Sequence, residues 1–240
     1  MLELSKRSAK LCLIPALAAL LACADGGANP GQRAPGDQPG GVTLGLGDIA
    51  VAPTDAFVIF SRDDALAVGW TDTGTVEELP VDEPTRLAFS KTRNVVYVGT
   101  THGTRGVLAI DVERRTVLWG VPFYGADTAS LRLLSTKDDR FVLIANADTG
   151  TTMVVDAATG AVARTIDHGA RIVDVQLLPD DARALVVLDD TWRDDRVTTR
   201  VRILSLTDGS LAEVSVPNCS DRVAISADGA RAFLAPTTCV

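Results

Sequence analysis

The side chains of this 240-residue chain that could do acid–base chemistry include two histidines, His102 and His168. Histidine is the usual general base near neutral pH, because its ordinary pKa is about 6.5. His102 stands in TTHGTRG and His168 in IDHGAR, and a glycine follows each, as it does in many turns. Two interpretations stay open: both rings face a common site on one face of the fold, or each is an exposed loop residue.

A charged loop, DDTWRDDRVTTR at 189–200, is a further candidate for ligand contact. Trp192 between aspartate and arginine is typical of a recognition loop, although its ring could equally pack on its own hairpin. The aspartate pairs lack the D-x-D-x-D-G spacing of calcium loops. The chain also has no G-x-S-x-G, H-E-x-x-H, C-x-x-C-H or phosphate-loop motif. We therefore assign no catalytic residue, no metal site and no cofactor.

Two of the four cysteines flank a predicted hairpin near the chain end. Cys219 comes just before its first strand and Cys239 just after its second, and these two ends of an antiparallel hairpin are neighbours. A disulfide fits this geometry in an oxidising compartment. The alternatives are two unpaired thiols, or thiols with partners elsewhere. Zinc is disfavoured, because the cysteines are twenty residues apart with no histidine pair nearby.

The N-terminal segment 1–22 has the features of a secretory signal peptide. Its first ten residues include three basic residues and one acidic residue, and residues 11–21 form an apolar run that is too short for a membrane span of about 20 residues. Cys12 lies within this segment and would be lost with it.

The end of the apolar run, Leu20-Leu21-Ala22-Cys23, resembles the lipobox of bacterial lipoproteins. The resemblance implies cleavage before Cys23 and acylation of this residue, which stably anchors a protein when two or more chains are attached. Ala24, in place of aspartate, implies the outer membrane by the sorting rule of enteric bacteria. The side of that membrane stays open, and the alternative is that Cys23 is an ordinary apolar residue of the signal.

The segment 23–47 is predicted to be a flexible tether behind the lipidated cysteine. Residues 24–41 hold six glycines and three prolines and show no apolar periodicity. The whole chain has a formal net charge of −8. Acidic proteins bind phosphate backbones poorly, so a nucleic-acid partner is disfavoured.

Residues 48–240 contain an internal repeat of about 45 residues. If Ser90, Ser135, Pro179 and Ser226 are equivalent, the spacings are 45, 44 and 47 residues. Each unit reads as strand, turn, strand, followed by a second strand–turn–strand. Four short strands in about 45 residues are the pattern of a β-propeller blade. The predicted blades are 48–82, 83–125, 126–169 and 170–217, with the first two strands of a fifth at 218–240.

The third unit, FVLIANADTGTTMVVDAATGAVARTIDHG at 141–169, resembles the repeat of YVTN-type propellers. Asn146, Val155-Asp156, Thr159-Gly160, Val162 and Gly169 carry the resemblance, which implies the fold more strongly than it implies a function. Because the chain ends within a blade, we expect either a fragment of a larger propeller or a closing blade that combines segment 42–48 with the chain end.

These features predict an all-β propeller lipoprotein that acts as a binding or scaffolding module in the bacterial envelope. Its partners would be the membrane, through the lipid, and an envelope protein or small-molecule ligand. The rival hypothesis is a lactonase-like or quinoprotein-like enzyme with its site on the top face of the propeller, since similar propellers host such sites. Fold analogy alone does not decide between these functions.

Overall fold

The computed structural model describes residues 42–43, 49–53, 55–62, 65–100, 106–123, 131–189, 199–216 and 220–236. All regular elements in these ranges are β-strands. The first sheet has the order β2-β3-β4-β5, with the bounds β2 (Ile49–Val51), β3 (Phe57–Arg62), β4 (Ala65–Trp70) and β5 (Val76–Asp82). The second has the order β1-β6-β7-β8-β9, with the bounds β1 (Val42–Thr43), β6 (Pro84–Phe89), β7 (Val95–Thr100), β8 (Gly106–Asp111) and β9 (Thr116–Pro122).

The remaining sheets follow the same up-and-down order along the chain. The third sheet comprises β10 (Leu131–Ser135), β11 (Phe141–Asn146), β12 (Thr151–Asp156) and β13 (Val162–Asp167). The fourth comprises β14 (Arg171–Leu177), β15 (Arg183–Asp189), β16 (Thr199–Ser205) and β17 (Leu211–Val216). The fifth contains β18 (Ser220–Ile225) and β19 (Ala232–Pro236). Every strand pair is antiparallel.

Successive sheets pack face to face, and their first strands lie side by side: β6 by β10, β10 by β14, and β14 by β18. Each of four apolar clusters is shared by two consecutive sheets. Consecutive four-stranded antiparallel sheets stacked in this way are the blades of a β-propeller, and the fold predicted from the repeat is confirmed. Apart from β1, the strands of each sheet lie within the corresponding range that the sequence predicts.

One position near the middle of each second strand shows how the blades stack. Its side chain points at the next blade and is buried in the first four sheets, where it is Ile59, Tyr97, Leu143 and Leu185. In the fifth sheet the same position is Phe233, which is 58% exposed. The opposite face of this sheet, with Val223 and Leu234, packs on the fourth blade. The apolar alternation of the strands is therefore used to build contacts between blades.

The turn between the first and second strands has the same geometry in every blade. A backbone N–H at its start donates to the carbonyl five residues later, as from Thr136 to Phe141 at 3.0 Å and from Leu178 to Arg183 at 2.8 Å. The equivalent starting residues are therefore Ala52, Ser90, Thr136, Leu178 and Ser226. The sequence alignment on Ser135 and Pro179 is wrong by one residue in opposite directions, because small and turn-forming residues occupy neighbouring positions there.

The short strand β1 corrects a second expectation. Val42 pairs with Leu87 and Thr43 with Arg86, so β1 extends the second blade. The expectation that segment 42–48 combines with the chain end is wrong for residues 42 and 43, and residues 44–48 are outside the described ranges.

Candidate functional site

Only one of the residues proposed from the sequence as a ligand contact can be placed in the structure. His102, Trp192, Cys23, Cys219 and Cys239 lie outside the described residues. Acylation of Cys23 and the disulfide both stay predictions. The hairpin next to the two C-terminal cysteines does form, with Ser220 opposite Pro236. The remaining candidate, His168, is described.

His168 lies directly after β13, in the connection between the third and fourth blades. Its side chain is 2% exposed, so it is not the exposed loop residue that one interpretation expected. The backbone N–H of His168 donates to the carbonyl of Gly150 at 2.9 Å. This bond ties the connection to the turn between β11 and β12.

Both ring nitrogens of His168 have polar neighbours. Nε2 lies 3.0 Å from Oγ1 of Thr152, and Nδ1 lies 3.4 Å from Nη1 of Arg202. The same guanidinium nitrogen donates to the His168 carbonyl at 2.8 Å. Arginine is only a donor, so Nδ1 faces it as an acceptor, and the proton is assigned to Nε2, which donates to Thr152.

The protonation of His168 is set by burial and by a neighbouring positive charge. Burial lowers the pKa of its imidazole, the charge of Arg202 lowers it further, and the resulting value is about 4. The ring is therefore neutral near pH 7. Because the side chain is buried and its acceptor nitrogen Nδ1 already faces Arg202, the ring is not free to take a proton from a ligand.

The guanidinium next to His168 is fixed by an ion pair. Nε of Arg202 donates to Oε2 of Glu213 at 2.6 Å, across the strand pair β16–β17. Arg200, two residues earlier on the same face of β16, has its Nη1 3.7 Å from the same carboxylate oxygen. The His168 region is thus a polar interface that joins the third and fourth blades.

The buried imidazole predicts how stability depends on pH. Between pH 6.5 and about 4 the unfolded chain binds a proton that the folded chain does not, so stability falls as the pH is lowered through this range. Replacing His168 with glutamine should make the urea midpoint less sensitive to a change from pH 7.5 to pH 5.0. Replacing His102, the other histidine of the chain, is the control. An unchanged pH dependence in the His168 variant would contradict the buried, neutral state.

A second group of polar residues comes from the first strands. Arg86, Arg132, Asp174 and Arg222 occupy the same register position, opposite Gly99, Ala145, Val187 and Ala235 of their second strands. Because the first strands of these blades are neighbours, the four residues form a line that we call the first-strand charge row. The equivalent residue of the first blade is Asp48, which is outside the described residues.

Two members of the charge row, Arg86 and Asp174, contact the next blade. Nε of Arg86 donates to the carbonyl of Leu131 at 3.2 Å, which brings this guanidinium next to the strand that carries Arg132. Oδ2 of Asp174 accepts from the N–H of Val223 at 2.9 Å, and Oδ1 accepts from its neighbour Val175 at 2.9 Å. Of the four described residues of the row, three are arginines and one is an aspartate, in a chain whose net charge is −8. Guanidinium groups that project from neighbouring strands can hold a negatively charged ligand in a defined position.

The charge row was not recognised from the sequence, although its signal is visible there. Arginine stands four residues before Ser90 and Ser226, at 86 and 222, and three residues before Ser135, at 132. An arginine that recurs at one register position of a repeat should be placed on one line of the fold.

The described residues contain no group of three or more histidine, cysteine, aspartate or glutamate side chains that could hold a metal ion. Within the same part of the chain, no helix is long and apolar enough to cross a bilayer.

Comparison with known proteins supports the fold alone. No family model and no curated protein matches the chain. A solved structure described as "Crystal structure of the eukaryotic initiation factor" is similar, with a TM-score of 0.60 and 13% identity. The match covers 82% of this chain and 50% of that one, so the present chain spans about half the length of this structural relative. In all, 615 solved chains match, and a fold shared so widely does not select a function.

Proposed function

We propose that this chain is a binding or scaffolding module of the bacterial envelope, held at the outer membrane by a lipid on Cys23. The propeller fold supports the first half of the proposal, because its blades present loops and strand ends for contact. The lipobox-like sequence Leu20–Cys23 and the tether behind it support the second half.

The observation that favours binding over catalysis is the burial and hydrogen bonding of His168. The rival enzyme hypothesis depends on His102 and His168 as acid–base groups, since these are the chain's two histidines. His168 is buried, has a pKa of about 4 and is bonded between two blades. Its contacts favour a structural role between the blades over a role in proton transfer.

The anchor is tested by replacing Cys23 with serine, which cannot be acylated. We expect the protein to move from the membrane fraction to the soluble fraction, because the lipid is its proposed attachment. Replacing Cys12, inside the predicted signal peptide, with serine is the matched control and should leave the protein in the membrane. Recovery of the wild-type protein with an unmodified Cys23 inside a longer chain would contradict the anchor.

Binding is tested in the same set of strains by chemical cross-linking of intact cells. We expect a discrete cross-linked complex with the wild type and with Cys12→Ser, and its loss with Cys23→Ser. Absence of any complex, together with turnover of a substrate that depends on His102, would favour the enzyme instead.

A further inference from the structure

From the first-strand charge row, we infer that the chain binds a small oxyanion, with a carboxylate or phosphate group, between Arg86 and Arg132. This site is independent of the lipid anchor and of any protein partner.

Arg86 and Arg132 place two positive charges close together in a half-buried position. They come from neighbouring first strands, and the bond from Arg86 to the Leu131 carbonyl places its guanidinium beside residue 132. Burial lowers the pKa of Arg86, and the charge of Arg132 lowers it further. Two like charges that disfavour each other away from bulk water are stabilised when an anion binds between them.

The guanidinium of Arg132 is the group best placed to bind the anion. It donates no hydrogen bond to any residue that the structure describes, although arginine has five N–H donors. Asp174 is near enough for its carboxyl pKa to be affected by Arg132, but the two residues form no direct ion pair. Both oxygens of Asp174 already accept backbone N–H groups, from Val175 and Val223.

The chemistry of the row selects a small oxyanion. Planar guanidinium groups bind carboxylate and phosphate through two parallel hydrogen bonds, whereas halide ions gain less from this geometry. A long polyanion would also meet the rest of an acidic surface, because the chain has a net charge of −8. A small ligand meets mainly the local positive charge of the row.

The test is a titration of the full-length chain, purified in detergent, with sodium phosphate and separately with sodium succinate. Ionic strength is kept constant with sodium chloride, and heat is measured by isothermal titration calorimetry. We expect saturable binding of at least one of the two probes. Arg132→Gln should weaken it by about tenfold or more, and Arg132→Lys should weaken it less, because lysine keeps the charge but not the fork.

The matched control is Arg231→Gln, which makes the same change of charge. Arg231 is exposed, in the turn between β18 and β19, away from the row. Its replacement should leave the affinity unchanged. Binding of phosphate alone would identify a phosphate ligand, and binding of succinate alone a carboxylate ligand.

Two results would overturn the inference. One is the absence of saturable binding of both probes to the wild type. The other is an equal loss of affinity in Arg231→Gln and Arg132→Gln, which would make net charge, and not a site, responsible. The urea midpoint of each variant shows whether it is folded. If Arg132→Gln is unfolded, the affinity of Arg132→Lys provides the test.

Discussion

Replacing Gly150 with alanine is expected to destabilise the protein by about 3 kcal/mol or more. Gly150 ends the turn between β11 and β12 and has a φ of +66°. A residue with a Cβ atom is strained in this left-handed region, at about 1–2 kcal/mol. The remaining loss comes from a steric clash.

The clash arises because the connection to the fourth blade crosses directly over Gly150. A Cβ atom there would lie 2.0 Å from the carbonyl oxygen of Ala170, and the obstacle is backbone. The carbonyl of Gly150 also accepts the N–H of His168, so the connection cannot move away without losing this bond. The turn and the contact between the third and fourth blades would be disturbed together.

Gly74 provides the matched control for this substitution. It has nearly the same φ, +69°, in the turn between β4 and β5, and a Cβ atom there would have no neighbour within 4 Å. Gly74→Ala should therefore show only the backbone strain. Urea unfolding of both variants measures the difference, and equal losses would show that the Ala170 carbonyl moves aside at little cost.

The blades could be predicted from the sequence because their signals are local. Strand, turn and strand alternate within each 45-residue unit, and aspartate or glycine marks the turns. The register between repeats does not follow from these local signals. Ser135 looks like Ser90, but the hydrogen bond that closes the turn begins at Thr136, and only the backbone distances show this.

The sites were harder to predict because they join residues from different blades. His168 is buried partly because Arg202, which is 34 residues further along the chain, covers it from the next blade. No sequence pattern near His168 indicates that Arg202 is its partner. The proposed role of Arg132 likewise depends on Arg86 and Asp174, which lie on neighbouring first strands.

Replacing Asp139 with asparagine should destabilise the protein by about 3 kcal/mol, because its carboxylate joins the second and third blades. Asp139 lies in the turn between β10 and β11 and is 9% exposed. Its carboxylate accepts the Ser90 hydroxyl and the Lys91 N–H, both at 2.7 Å. It also accepts the N–H of Thr92 at 2.8 Å and the hydroxyl of the same residue.

Asparagine isolates the contribution of the carboxylate from that of the backbone. Asp139 has a φ of +53°, and asparagine tolerates this region about as well as aspartate does. One carboxylate oxygen would become an NH₂ group that faces hydrogen-bond donors. At least one of the donors from residues 90–92 would then be left without an acceptor.

Two further aspartates at the same turn position make a graded control. Asp181 has a φ of +56° and accepts one bond from the turn of the preceding blade, from the Lys137 N–H at 2.9 Å. Asp55 has a φ of +57°, is exposed, and its carboxylate has no hydrogen bond to a described residue. The losses on mutation to asparagine should decrease from Asp139 to Asp181 to Asp55. Equal losses would show that the backbone, and not the bond between blades, is responsible.

The pH dependence of stability is a second, independent test of the contact that Asp139 makes between the second and third blades. Burial by itself raises the pKa of Asp139, but hydrogen bonds from Thr92, Ser90 and the backbone outweigh it, and the pKa is lowered. Since the folded pKa is below the unfolded value, the contribution is complete above about pH 4 and is lost as the pH falls through the folded pKa. The difference in stability between wild type and Asp139→Asn should therefore shrink in acid, whereas a packing defect would persist there.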